Sequence, residues 1–153
     1  MSNPLRGIIL SIVDESGPHP QGWHPNFATL SQILNSAVKS FSIMIGDKAY
    51  REKSLLDLTC FGILPFQDMN AVGFIHFFGV NRIPNTNRSQ RELPITLTLM
   101  FDEAYRDTLC QKSPQIHQFL ENETKNLSST VLNEQKNKAL LENLYNKLIK
   151  FLE

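Results

Sequence analysis

Cysteine is nearly missing from this chain. Its 153 residues hold only Cys60 and Cys110, with no CxxC spacing, a count that favours free thiols in a reducing compartment over a bridge or a zinc site. An excess of one charge is missing as well. Fifteen basic and fifteen acidic side chains cancel, so the whole-molecule field draws in neither nucleic acid nor an anionic bilayer. No apolar run approaches the ~20 residues of a membrane span. The N-terminal "MSNPLRGIILSIVDES" meets acids too early for a secretory signal, Ser2 stands where myristoylation needs glycine, and "KLIKFLE" offers no cysteine to prenylate. The expectation is a cytoplasmic protein with no direct membrane insertion, in which the sequon matches at Asn87, Asn122 and Asn126 carry no meaning.

Catalytic signatures are absent too. There is no GxSxG elbow, no cysteine with a local acid–base partner and no carboxylate pair in an apolar context. "IMIGDKAY" has one glycine near a lysine, short of the glycine-rich loop and GK[ST] that cradle phosphates. The four histidines, His19, His24, His76 and His117, show no HExxH or comparable spacing, so three or four ligands do not converge on a metal by local sequence. His76 reads as a hydrogen-bonded sheet residue. The expectation is no enzyme, no cofactor and no metal; an unrecognised enzyme using His76 and Cys60, on neighbouring predicted strands, is the competing thought.

What is present is ordinary globular composition, 41% hydrophobic and 20% charged, on a length that favours one domain. Residues 6–14, "RGIILSIVD", form a β-branched strand ending in the turn "ESGP". "HPQGWHP" follows as a short or edge strand, because Pro20 and Pro25 cannot donate to a ladder. "NFATLSQILNSAVKSFSIMIGD" places Phe27, Leu30, Ile33, Leu34, Ala37, Val38, Phe41 and Ile45 at three-four spacing, predicting a helix capped by Asn26 and ended by Gly46, with these residues on its buried face. Residues 55–66 and 71–80 predict an antiparallel pair across "QDMN", and "PITLTLMF" alternates as a third strand. Beyond Phe101 everything reads helical: Asp102 as a cap, Ser113–Pro114 opening a second helix, and Leu141, Leu144, Tyr145, Leu148 and Leu152 striping a last one.

Three features invite a partner. "VGFIHFF" is apolar at both strand parities, so both sheet faces need cover, from helices of this chain or from a second copy paired edge to edge. The 81–93 loop gathers Arg82, Arg88 and Arg91, the only local basic concentration, too sparse for a nucleic-acid stripe. Trp23 stands beside the proline-rich hairpin, placed to pack on the first helix or to meet a partner. Trp23, Arg82, Arg88 and Arg91 are the candidate partner-binding residues.

The β-β-α-β-β-β-α-α order, an α+β five-stranded antiparallel sheet with helices packed on it, resembles the longin domain. "IILSIVDESGPHPQGWHP" looks like its first hairpin, "GILPFQDMNAVGFIHFFGV" its third and fourth strands, and "PITLTLMFDEAYRDTLCQKSPQIHQFLE" its fifth strand entering the helices. In wording the chain is similar to the longin-like proteins of archaea rich in eukaryote-type trafficking components. The resemblance spans nearly the whole chain, implying one domain over 1–153 with 128–153 as a C-terminal helix packed on it. It implies a non-enzymatic protein–protein interaction module in the longin and roadblock superfamily. Its partner would be a small GTPase or another longin or roadblock subunit, a homodimer being among the assemblies it allows, and its contact with membranes would run through that partner. A long heptad segment like that of longin SNAREs is not sustained, since Asn137, Glu134 and Thr130 interrupt the spacing. A small-molecule sensor of PAS or GAF type is the alternative.

Overall fold

The computed structural model describes residues 3–14, 16–45, 60–81, 92–125 and 134–153. Strands β1 (Leu5–Asp14) and β2 (Gly17–His24) form the first hairpin, and helix α1 (Leu30–Ile45) follows. Strands β3 (Cys60–Phe66), β4 (Ala71–Asn81) and β5 (Glu92–Asp102) precede helices α2 (Arg106–Thr124) and α3 (Glu134–Leu152). The sheet order is β2-β1-β5-β4-β3 with every neighbouring pair antiparallel. The first hairpin and the last three strands are thus joined where β1 lies beside β5, and α1 crosses between them.

Both faces of the sheet are covered by helices of the same chain, which accounts for strands that are apolar at both parities. Successive side chains alternate between faces. On one face Ile8, Leu10, Ile12, Phe74, Phe78, Leu97 and Leu99 meet Leu109, Ile116 and Leu120 of α2 and Leu141, Leu144 and Leu148 of α3. On the other, Ile9, Ile75, Phe77 and Met100 meet Ile33 and Phe41 of α1. That second layer is smaller and more polar. Ser11, Ser36, Ser40, Thr96 and Thr98 are buried in it; the Thr98 hydroxyl donates to Ser40 Oγ at 2.7 Å, and Ser40 donates to the Ser36 carbonyl at 2.8 Å. Ser11 and Thr96 face each other across β1 and β5, and neither hydroxyl has a hydrogen-bond partner.

Local chemistry departs from the sequence expectations at three helix starts. Helix α1 is capped by Thr29, not Asn26: the Gln32 N–H donates to Thr29 Oγ1 at 3.2 Å and the Thr29 N–H to Gln32 Oε1 at 3.0 Å, a reciprocal capping box. Its expected end at Gly46 lies outside the described residues. Asp102 caps nothing. It accepts Arg6 Nε at 2.5 Å, and a short 3-10 turn, Glu103–Tyr105, leads into α2. Pro114 does not open a new helix but sits inside α2. Proline lacks the N–H that would reach the Cys110 carbonyl one turn back, and the Ser113 hydroxyl donates to that carbonyl instead, at 2.9 Å.

Candidate partner-binding surface

Helix α1 is built to bury one face and leave another apolar. Ile33, Ala37 and Phe41 are buried with Ser36 and Ser40. Leu30, Leu34 and Val38, expected in that core, are instead 60%, 43% and 52% exposed. They recur every fourth residue and so form one stripe along the helix. Their exposed neighbours are Ser31, Asn35 and Ser42, and the only charged residue of α1 is Lys39. Lys39 is on another flank: its ammonium bonds the Pro65 carbonyl and stands 4.7 Å above the Phe66 ring. The stripe is therefore apolar and free of charge among the described residues. Such a face binds another apolar surface by removing both from water, and each half-exposed side chain contributes ~1 kcal/mol when covered.

The half-buried Trp23 ring belongs to the packing on the α1 side. It pairs with Ile9 across β1 and β2 and packs with Phe27 and Ala28 against the α1-side core. Its neighbour His24 points to the other face, where its ring meets Tyr145 of α3 edge-on at 5.3 Å. Between them Gly22, Trp23, His24, Pro25, Asn26 and Lys138 line an open cavity of about 490 Å³. Gly22 lets α3 come close, since a Cβ there would stand 3.2 Å from Leu141 Cδ1. Arg82, Arg88 and Arg91 lie outside the described residues, so their relation to Trp23 and to the stripe is not placed.

Among the described residues the titratable groups singled out from the sequence stand apart from one another. Cys60 pairs with Phe77, and Phe61 with His76, so Cys60 and His76 project from opposite faces and the imagined pair does not meet. His76 is fully buried on β4. The expected hydrogen bonding is thin: Nε2 lies 3.4 Å from Thr124 Oγ1, and Nδ1 has no partner. The His117 ring of α2 stands 5.4 Å away, with its own Nε2 3.2 Å from Glu121. Burial and the neighbouring His117 lower the His76 pKa to about 4. At the first hairpin, Asp14 accepts the Ser16 hydroxyl at 2.6 Å and His19 Nε2 at 2.7 Å, and those bonds hold its carboxyl at about 2. Serine here bonds the acid and not the imidazole, which is turn chemistry and not that of a nucleophile. Among the described residues no three His, Cys, Asp or Glu side chains converge to hold a metal ion, and no helix is long and apolar enough to cross a membrane. A cavity of about 50 Å³ lined by Glu123, Thr124, Leu140, Asn143 and Leu144 separates α2 from α3, below the size of small-molecule sites.

No family model matches the sequence, and no curated protein matches it. The fold does match. The longin domain of Lst4 from K. lactis superposes with a TM-score of 0.61 at 17% identity, covering 96% of each chain. The chain has the longin fold, an α+β five-stranded antiparallel sheet with helices packed on both faces.

Proposed function

We propose that this longin-fold chain is a non-enzymatic protein–protein interaction module that scaffolds or regulates small GTPases within a trafficking-type assembly. The observation that carries the reading is the exposed, charge-free stripe of Leu30, Leu34 and Val38 on a helix whose other face is anchored in the core. Large apolar side chains repeated in register on a solvent face mark a protein contact. The likeness to the Lst4 longin domain supports the same class of role. In this reading the protein is cytoplasmic and reaches membranes through its partner. Trp23, whose ring packs beside the α1-side core, and the arginines Arg82, Arg88 and Arg91 are further candidate contacts, the guanidinium groups suiting acidic side chains.

Calorimetric titration against a panel of small GTPases, each loaded with di- and triphosphate nucleotide, tests it. Leu34→Lys with Val38→Lys is expected to abolish binding while leaving the unfolding midpoint in place, since both residues are exposed. Binding that survives this double substitution would remove the stripe from the interface, and absence of binding to every GTPase and every longin or roadblock subunit would end the proposal.

A further inference from the structure

The open cavity of about 490 Å³ beside the end of β2 takes no part in the α1 stripe. Three parts of the fold meet at it: His24 closes the strand, Asn26 belongs to the connection into α1, and Lys138 stands near the start of α3. Close approach on one side shapes it. At Gly22 the missing side chain lets α3 settle on the strand, with Leu141 Cδ1 3.2 Å from where a Cβ would stand, and His24 meets Tyr145 further along the same helix. The space left between strand end, connection and helix has the volume of a small-molecule site.

Its polar side chains are donors. Lys138 brings a positive charge with three N–H groups, Asn26 an amide with two, and His24 an imidazole that donates through one nitrogen or both. Among the described residues none of these three side chains makes a hydrogen bond or an ion pair, and His24 has only its ring contact with Tyr145. Glu142, one turn beyond Lys138 on α3, is exposed and unpaired with it. The described lining holds no acidic residue, so nothing in it neutralises the ammonium. Pro25 adds an apolar ring, and half-buried Trp23 completes the wall.

We propose that this cavity binds a small organic anion, a carboxylate or a phosphate ester carried on a compact apolar body. Going beyond the partner site on α1, this names a different surface and a different class of ligand. An excess of free donors around one positive charge is complemented by a group that only accepts, and an oxyanion is that group. Lys138 supplies the charge-assisted bond, and Asn26 and His24 donate to the lone pairs that remain. The apolar body lies against Pro25 and Trp23 and keeps water from the polar contacts. Because strand, connection and helix each contribute a group, a bound anion would tie α3 to the first hairpin.

Titration of the full chain with benzoate, phenyl phosphate, benzamide and acetate tests this, followed by NMR at the Gly22, His24 and Asn26 amides and by the emission of Trp23, the only tryptophan. Benzoate or phenyl phosphate is expected to shift these signals saturably, the tighter of the two identifying the oxyanion. Benzamide, which has the shape of benzoate without its charge, and acetate, which has the charge without the body, should each bind about tenfold more weakly or worse. Lys138→Gln should weaken the anion by about tenfold, with the fold intact because the residue is exposed. Should that variant fail to fold, the comparison of benzoate with benzamide on the unmodified chain still decides. Equal binding of benzamide would overturn the proposal, leaving an apolar crevice, and equal binding of acetate would leave only diffuse attraction to a surface charge. Shifts that never saturate, or binding unchanged in Lys138→Gln, would overturn it too. Leu34→Lys with Val38→Lys should leave anion binding unaltered, so this site and the α1 partner site fail separately.

Discussion

An imidazole enclosed between β4 and α2 must stay neutral or lose its hydration, and this makes His76 the residue through which acid acts on the fold. Its pKa is held at about 4, first by burial and then by His117, with Glu121 pulling the other way. In the unfolded chain it returns to near 6.5. Between these values the unfolded state binds a proton that the folded state refuses, so stability is full above pH 6.5 and falls as the pH drops toward 4. The loss when complete is about 3 kcal/mol. Urea unfolding at intervals of pH should show this slope, and His76→Leu should flatten it in that window. Asp14 acts in a separate window: its folded pKa of about 2 lies below the ordinary 3.8, so its contribution is lost only at still lower pH.

At the scale of elements, close approach decides more than propensity. Gly7 on β1 has no room for a side chain, because a Cβ there would run into the Phe27 ring. Gly7→Ala is expected to destabilise by about 1–3 kcal/mol, and Phe27→Leu in the same chain should recover part of it, a coupling that a double-mutant cycle by denaturant unfolding measures. Thr29→Ala should cost about 1 kcal/mol through loss of the α1 cap, while Asn26→Ala should cost little. These two positions also show what could be read from the sequence. The strands and their order followed from β-branched runs and turn residues, because those signals are local. The cap did not, since Asn26 and Thr29 are both competent and the Gln32 side chain, which closes the box with Thr29, broke the tie. The exposure of the stripe is hidden from the sequence for a related reason. Leu30, Leu34 and Val38 fit a buried period as well as Ile33, Ala37 and Phe41 do, and the serines at 36 and 40 that share the buried face gave no apolar signal. The hydroxyls of the facing strands, Thr98 above all, are what make serine acceptable there, and that pairing is a tertiary fact.

Across the whole molecule, one guanidinium ties together the parts that the chain order keeps apart. Arg6 on β1 donates to Asp102 at the end of β5 and to the carbonyls of Met69 and Asn70 in the β3–β4 turn, at 2.5, 2.6 and 2.9 Å. Arg6→Met, which keeps the aliphatic stem, is expected to cost about 1–2 kcal/mol given the partial exposure of the pair. Asp102→Asn should cost less, because the two carbonyl bonds remain, and the double variant should fall short of the sum.

The inequality of the two helical layers has a consequence in time. Helices α2 and α3 sit on the larger aliphatic and aromatic core, which also encloses the His76 ring with its Nδ1 unbonded, whereas α1 sits on a smaller one that encloses Ser11 and Thr96 with their hydroxyls unbonded. Lifting α1 gives those hydroxyls water and forfeits less apolar contact, so this layer opens at a lower free energy than the other. The amides of α1 and of the strand segments beneath it should accordingly exchange through brief openings while α2 remains seated. A partner that grips the outer stripe would hold that layer shut, and its arrival would be recorded on the hidden side of the helix as slowed exchange at residues it never touches.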